Sequence, residues 1–523
     1  MIVFNFKYYI FVFICAILVV CIGVVSASDD ISSIDVNDTL DEYDENMFLG
    51  SVASDYIDSL DSKTHSSFDG DMLGSRVYSF SDLEDKLSNT PNKGVLNLTN
   101  GDIYINDDNY NQEGIVINKS ITVNGNGAII DANGISRIFY IAVNNSISLN
   151  NITFMNGANV VSGAALYFAN DVINLSISNC NFDNNHVYGG GGGAIYMNGI
   201  SNSIFIGSSF NSNYAQGNGR YVEGGAIFIN GDVKNVTIDS NFTNNYAYVI
   251  NGIYLSCVCG GAIFFRDSVQ NIILKGQFNN NNVITYSTHN GSLGLGGGIC
   301  FYNGLTDSKL YANFNNNYVE SSNVRGGAIY IVKSLRNSVI NGTFTNNYVS
   351  GTRYYRDSFV SEGGAIAVDG SQLGYHVTTE TGSRTATVDN VIIDGYYENN
   401  SVTTSGSYQA NGGSIYIRVA KNTQIHGNFN RNYWKSYGGA ISISSSSNVN
   451  INNANFSSNS ASMGGGALYV SGCDFCVNNS YFMDNSVDCI MWRDSANSII
   501  KNSNFTNNNN FLFILPSCIN SIF

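Results

Sequence analysis

The chain has 523 residues and a formal net charge of −16, yet only 12% of its residues are Asp, Glu, Lys or Arg. That length exceeds what one compact core usually serves, and 33 Tyr and 30 Phe exclude a disordered chain, which is poor in aromatics. No basic stripe is present, which removes the electrostatic footprint of a nucleic-acid binder.

Residues 1–27 read as a targeting segment, either a cleaved signal peptide or a signal anchor. Lys7 supplies the positive start, Ile10 to Val25 is an uninterrupted apolar run, and Val25-Ser26-Ala27 is an acceptable cleavage site. Either way, the remainder is expected outside the cytoplasm. Residues 28–77 form an acidic spacer. Thirteen Asp or Glu and one Lys between residues 29 and 72 carry about −12 of the net charge, the composition of a solvated, disordered segment. The rest of the chain is nearly neutral.

Residues 78–160 read as an N-terminal cap and the first coils of a solenoid. A short helix is expected around Ser81 to Leu87, because Ser81 and Glu84 have capping-box spacing and Leu83 and Leu87 share a face. It would cover the open end of the first coil. Short strands follow at Val95 to Leu98, Ile103 to Ile105, Ile115 to Ile117, Ile121 to Val123, Ala128 to Ile130 and Phe139 to Ile141. Asn/Gly turns separate them, as in Asn124-Gly125-Asn126-Gly127.

Residues 161–510 carry two alternating motifs. The first is seen in Gly192-Gly193-Ala194-Ile195, Gly224-Gly225-Ala226-Ile227, Gly326-Gly327-Ala328-Ile329 and Gly363-Gly364-Ala365-Ile366, with degenerate copies at Ser162-Gly163-Ala164 and Gly297-Gly298-Ile299. The second is Phe-x-x-Asn, from Phe182 to Asn185 through Phe505 to Asn508. Self-similarity at such a period marks a repeat solenoid. The fold class is all-β, a right-handed parallel β-helix of roughly 11–12 coils with a short N-terminal capping helix. The two prolines, Pro91 and Pro516, leave the repeats free of residues that break a strand ladder.

Within a coil, Ile of the first motif and Phe of the second should point inward and stack. Asn should sit at corners in side-chain ladders, and the Gly pairs should permit tight corners with positive φ. An aliphatic four residues before Phe (Ile206, Ile238, Leu310, Ile340) shares its face. The five-residue cases (Ile177 before Phe182, Ile451 before Phe456) need a bulge. Insertions at residues 246–259, 283–296 and 349–362 leave one corner, and such loops often form a binding face. The cluster Arg353, Tyr354, Tyr355, Arg356 in the third is the ligand-binding candidate, because Tyr and Arg dominate hot spots. Residues 511–523 read as a cap strand or a truncated end.

The alternation of the two motifs resembles the repeats of chlamydial polymorphic outer membrane proteins. The opening module, Tyr78-Ser-Phe-Ser-Asp-Leu followed by Gly114-Ile-Val-Ile-Asn-Lys-Ser-Ile-Thr-Val-Asn-Gly-Asn-Gly, is more similar to adhesin-like surface proteins of methanogenic archaea. The resemblance spans about residues 78–508. It implies a right-handed parallel β-helix at the cell surface or secreted, attaching to surface glycans or to proteins of other cells. Membrane contact is expected only through the N-terminal segment, if uncleaved, and no nucleic acid partner is expected.

An enzyme is not expected. β-Helix lyases and hydrolases need carboxylates converging on one outer face. Here Asp239, Asp369, Asp394 and Asp484 are scattered, and the nearest pair is Asp232 with Asp267. The five His (His65, His186, His289, His376, His426) lack metal-ligand spacing, and no cofactor or metal is expected. Cys257-Val-Cys259 and Cys473-x-x-Cys476 are the tightest Cys pairs, the second open to a disulfide outside the cell. Cys180 and Cys300 read as stacked core thiols. A carbohydrate-active β-helix enzyme and a passive cell-wall component are the alternatives to an adhesin.

Overall fold

The computed structural model describes residues 76–509, apart from short stretches at 108–109, 159–160, 219–220, 253–255, 288–291, 353–359, 371–387, 405–409, 435 and 496, together with a strand at 512–514. The targeting segment and most of the acidic spacer lie outside the described residues.

The chain is a parallel β-helix. Every strand pairing is parallel, and each joins strands one coil apart, as in Ile227–Ile229 with Ile263–Phe265. Each regular coil visits the sheets in a fixed order. The Gly pair leads into a strand of the Ile sheet, such as Ile227–Ile229. A turn then opens a long strand of the Phe sheet, such as Val233–Thr243, which ends at the Asn corner. Among the described residues the Ile sheet has fourteen strands, two or three more than the 11–12 coils expected with the opening ones counted. The opening module adds Ile115–Ile117 and Phe139–Ile141, which lack a Gly pair, and 512–514 adds one at the end. At 4.8 Å per coil the rod is about 65 Å long.

The Asn corner carries the stacking. Its Asn side chains are buried, from Asn185 and Asn213 to Asn459 and Asn485. Asn281 illustrates their bonding. Its Nδ2 donates to Asn317 Oδ1 (3.0 Å) and to the Phe242 carbonyl (3.0 Å), while its Oδ1 accepts from the backbone N–H (3.1 Å) and Nδ2 (2.9 Å) of Asn245. The ladder runs unbroken from Asn185 to Asn508. The residue before each Asn has φ near +55°, including Asn244, Asn280, Arg431 and Asp484, which explains why Asn recurs there, since Asn tolerates the left-handed region.

The Phe rings stack beside this ladder. Phe182, Phe210 and Phe242 lie 4.6 and 4.7 Å apart with planes within 5° of parallel, and the column continues to Phe505. Ile238, Leu310 and Ile340 point into the core with their Phe partners, but Ile206 is 43% exposed and Phe205 takes its inward place. The cause is an extra residue at Gly207 (φ 63°), where the register shifts between Ile206 and Ser209. The five-residue cases Ile177 and Ile451 are buried, each followed by a left-handed residue, Asn179 or Asn453.

The Gly pairs work in two ways. The first Gly is left-handed, as at Gly326 (φ 64°). The second is not, but a Cβ on Gly327 would sit 2.1 Å from the Gly364 carbonyl oxygen of the next coil. Both degenerate copies are displaced by one residue from the sequence reading. Gly163 bonds to Gly192 and Ala164 to Gly193, so Ala164 occupies the second position. Gly296 (φ 64°) is the first Gly of its coil.

The helix spans Phe80–Asn89, with Ser79 as its cap and Asp82 closing the capping box. It starts earlier than the Ser81/Glu84 reading because Phe80 is buried with Leu83 and Leu87 over the first coil. Residues 121–131 form one strand rather than two, with a register shift where the Asn/Gly turn was expected.

The described residues of the insertions after the Asn corner lie mostly in strands. Tyr246–Gly252, Asn282–Ser287 and Tyr348–Gly351 belong to a nine-stranded third sheet, and Cys257–Cys259, Leu293–Leu295 and Ser361–Glu362 to a six-stranded fourth sheet. The two share a small second core built on Val187, Ala215, Val283, Val319 and Trp434 against Val222, Val258 and Val324. Alternation of side chains along the fourth sheet turns Cys257, Cys259, Leu293 and Leu295 the other way, onto Phe228, Phe264, Cys300 and Tyr330 on the outer face of the Ile sheet.

Replacement of Asn281 by Ala removes four buried hydrogen bonds and takes the acceptor from the Asn245 backbone N–H, while Asn317 Oδ1 keeps the backbone N–H of residue 281. It should lower unfolding free energy by on the order of 3 kcal/mol, read from the denaturant midpoint. A loss below about 0.5 kcal/mol, within the range of ordinary surface substitutions, would contradict the role given to the ladder.

Candidate functional site: a tyrosine-lined groove in the opening coils

The outer face of the Ile sheet carries one side chain per coil in a continuous register: Val116, Tyr140, Tyr167, Tyr196, Phe228, Phe264, Cys300, Tyr330. From Phe228 to Tyr416 the fourth sheet covers this column and the residues are buried. Before Phe228 it does not, because the first strand of the fourth sheet is Tyr221–Glu223. The opening coils therefore leave the column bare, and an open groove of about 490 Å³ lies there.

Three tyrosines form the floor. Tyr140 and Tyr167 stack at 5.4 Å, and Tyr167 and Tyr196 at 4.9 Å with planes 8° apart. Phe228 closes the row edge-on to Tyr196 at 5.3 Å. Stacking uses the ring faces, so the rings turn edges toward the groove. The Tyr196 hydroxyl donates to Asn198 Oδ1 (3.0 Å), and burial raises its pKa. Val161, Ser162 and the exposed Tyr188 form a wall.

Arg137 sits at one side, with Gln112 and Glu113. Its guanidinium lies 4.6 Å from the Tyr167 ring centre and 5.8 Å from that of Tyr140, within cation–π range. Nε donates to the Gly163 carbonyl and Nη2 to the Ser162 carbonyl, both at 3.0 Å, and Nη1 donates to Glu113 Oε2 at 2.6 Å. Burial pulls the Arg137 pKa down, opposed by Glu113.

Two further polar clusters lie under the fourth sheet. Arg266 bonds both carboxylate oxygens of Glu223, at 2.5 and 2.6 Å. Arg325 Nε bonds Glu362 Oε2 at 2.7 Å with both side chains buried, and Nη1 reaches the Tyr330 hydroxyl at 3.3 Å. Burial raises the Glu362 pKa against the pull of Arg325, with the buried Asp369 adding to the rise. This cluster is closed to substrate. The signal for it was legible: Arg325 and Glu362 stand directly before successive Gly pairs, and such positions are register neighbours.

The sequence candidates fall elsewhere. Arg353, Tyr354, Tyr355 and Arg356 lie outside the described residues, as do His65, His289 and His376. Asp232 and Asp267 are each tied to the next coil, Asp232 accepting from Ser268 (2.5 Å) and Asp267 from Asn303 (3.2 Å). Asp239 pairs with Lys275 at 3.9 Å, Asp394 caps Gly395 N–H at 2.7 Å, and Asp484 occupies the left-handed corner position. His186 stacks on Tyr214 at 4.6 Å, and burial lowers its pKa to about 4. Cys473 and Cys476 are separate thiols, the first buried and the second half-buried, so that pair carries no disulfide. Among the described residues, no three His, Cys, Asp or Glu are arranged to hold a metal ion.

No protein-family model matches the chain, and neither a curated protein nor a solved structure matches it significantly.

The sheet stacking brings Cys300 to Cys257 and Cys259, whose sulfurs are 3.3 Å apart. A hydrogen bond to Cys259, then burial, raises the Cys257 pKa; burial raises those of Cys259 and Cys300. Since the thiolate is the reactive form, iodoacetamide at pH 8 should leave all three unmodified in folded protein and label them after unfolding, as mapped by peptide mass. Fast labelling of the native protein would show that the fourth sheet does not seal this interface.

Proposed function

We propose that the chain is a non-enzymatic, adhesin-like β-helix, secreted or held at the cell surface, that attaches to glycans through the tyrosine-lined groove. The observation that carries this reading is the selective exposure of the aromatic column. Six coils of the rod have that column sealed by the six-stranded fourth sheet, and the opening coils leave it open beside an Arg and a Glu. A concave site with aromatic walls and a few fixed polar groups is the usual form of a small-ligand site. Stacked phenol edges offer a row of hydroxyls, each both donor and acceptor, the complement of a polyhydroxylated chain.

The absence of open carboxylate pairs among the described residues favours binding over hydrolysis or elimination. Glu362 and Asp369, which interact electrostatically, are buried beneath the fourth sheet. Asp232, Asp239, Asp267 and Asp394 are held in bonds within the coils, and Asp484 sits at a corner. The surface position and the glycan partner rest on the apolar N-terminal run and on the resemblance of the repeats.

The test is co-sedimentation of the full chain with a panel of insoluble or immobilised polysaccharides, with reducing and unsaturated ends measured over time. Retention without product is expected. Tyr167→Ala should weaken retention on the order of ten-fold or more, the effect of removing a central aromatic contact. Tyr481→Ala, an exposed Tyr far along the rod, should leave it unchanged. Sustained release of ends would replace the adhesin with an enzyme. Equal retention by both variants would move the site away from the groove.

A further inference from the structure

The ion pair at the groove is lopsided. The Arg137 side chain is 6% exposed, whereas that of Glu113 is 67% exposed. Arg137 is fixed by the framework through the Gly163 and Ser162 carbonyls and two Tyr rings. Glu113 holds on chiefly through Nη1 of Arg137, at 2.6 Å. Its backbone lies just after Asn111, whose Oδ1 accepts the Glu113 N–H. The cation is therefore built in, and its partner is a solvated side chain.

The energetics of the two partners differ accordingly. A guanidinium this deep needs a negative partner, since an unpaired buried charge is strongly unfavourable. An exposed carboxylate gains little from the same pair, because water competes for it. The need for an anion is a property of the site, while the identity of the anion is not fixed. The ion pairs of the fourth sheet differ: Arg325 and Glu362 are 9% and 6% exposed, so that pair has no route for exchange, and in Arg266–Glu223 the acid is the buried partner, 10% exposed against 40% for the Arg.

We propose that the groove selects acidic glycans, with a sugar carboxylate replacing Glu113 on Nη1 of Arg137 and sugar hydroxyls meeting the edges of Tyr140, Tyr167 and Tyr196. Glu113 is then a stand-in that keeps Arg137 paired in the empty groove and swings into solvent when ligand arrives. Arg suits this role because its planar fork lets Nε and Nη2 hold the Gly163 and Ser162 carbonyls while Nη1 faces the carboxylate. The solvent-side Glu113 gains little from the pair, so a sugar carboxylate held in place by the Tyr and Ser162 contacts displaces it, and that pairing is what the ester lacks. The inference rests on the glycan-binding reading and narrows it to a charge class.

The test compares polygalacturonate, its fully methyl-esterified form and dextran sulfate on the full chain at physiological salt. Wild-type protein should bind polygalacturonate several-fold more tightly than the ester, which has the same backbone without the charge. Glu113→Gln removes the competing carboxylate on an exposed side chain and should tighten polygalacturonate binding roughly three- to five-fold, with the ester unchanged. Arg137→Lys keeps the charge but loses the fork, and should bring polygalacturonate down to the level of the ester. Circular dichroism and the melting midpoint establish that each variant is folded. Equal binding of acid and ester, or weaker acid binding by Glu113→Gln, would overturn the proposal while leaving glycan binding intact. Dextran sulfate binding as tightly as polygalacturonate would reduce it to nonspecific polyanion attraction. Failure to bind any of these polymers, or any neutral glycan of the panel, would remove the glycan reading and this inference together.

Discussion

The buried amide ladder at the Asn corner is the constraint from which the architecture follows. A solenoid must turn its backbone at a corner inside the protein, and a buried turn leaves amide groups without water. Asn solves this with one side chain that has two donors and an acceptor oxygen for two bonds. Each Asn saturates its own capacity by bonding up and down the stack, as Asn281 does with Asn245, Asn317 and Phe242. Only a neighbour with the same residue in the same place completes it. That requirement locks coil to coil in register, and the Phe column 4.6–5.1 Å apart adds roughly 0.5–1.5 kcal/mol per stacked pair beyond burial.

Between this corner and the next Gly pair the chain is free to vary, because neither ladder passes through it. Much of the uneven spacing of the repeats is absorbed there, in the third and fourth sheets and the stretches that join them; the exception is residues 370–387, between the Ile strand Ile366–Asp369 and the Phe strand Val388–Glu398. The consequence reaches the opposite side of the coil. The fourth sheet folds back over the outer face of the Ile sheet, so the length of this variable segment determines which coils carry a covering strand, from Tyr221–Glu223 to Ala410–Asn411. The opening coils, whose connections are shorter, carry none.

Most of the frame was legible in the sequence. The two motifs mark the Ile and Phe strands, the inward Phe and the Asn corner, because each position is dictated by local chemistry repeated many times. Two things were not legible. Periodicity cannot distinguish a loop from a strand in segments such as residues 246–259, where the decisive contacts are with equivalent segments of unequal length in other coils. The groove was missed for the same reason: Tyr140, Tyr167 and Tyr196 look like three more core aromatics, and what exposes them is the absence of a covering strand from elsewhere in the chain. The order of residues along the column, Tyr up to position 196 and Phe at 228 and 264, does not mark the groove either, since Tyr330 and Tyr416 of the same column are buried beneath the cover.

The exposure of these three phenols bears on function as well as on packing. Tyrosine alone could be an accommodation to solvent, since its hydroxyl tolerates an open edge. Arg137 is not explained in that way. A buried cation beside an open groove is an expense unless something other than folding uses it, and the fold offers a contrast in the same register of sheets. Arg325 has its acid buried with it on the next strand of the same sheet, and its Nη1 reaches Tyr330 on the facing Ile sheet. Arg137 is held just as firmly but has its acid on the solvent side, where no second sheet needs fastening. The position of the counter-ion, inside for one Arg and outside for the other, separates a structural clamp from a recognition group.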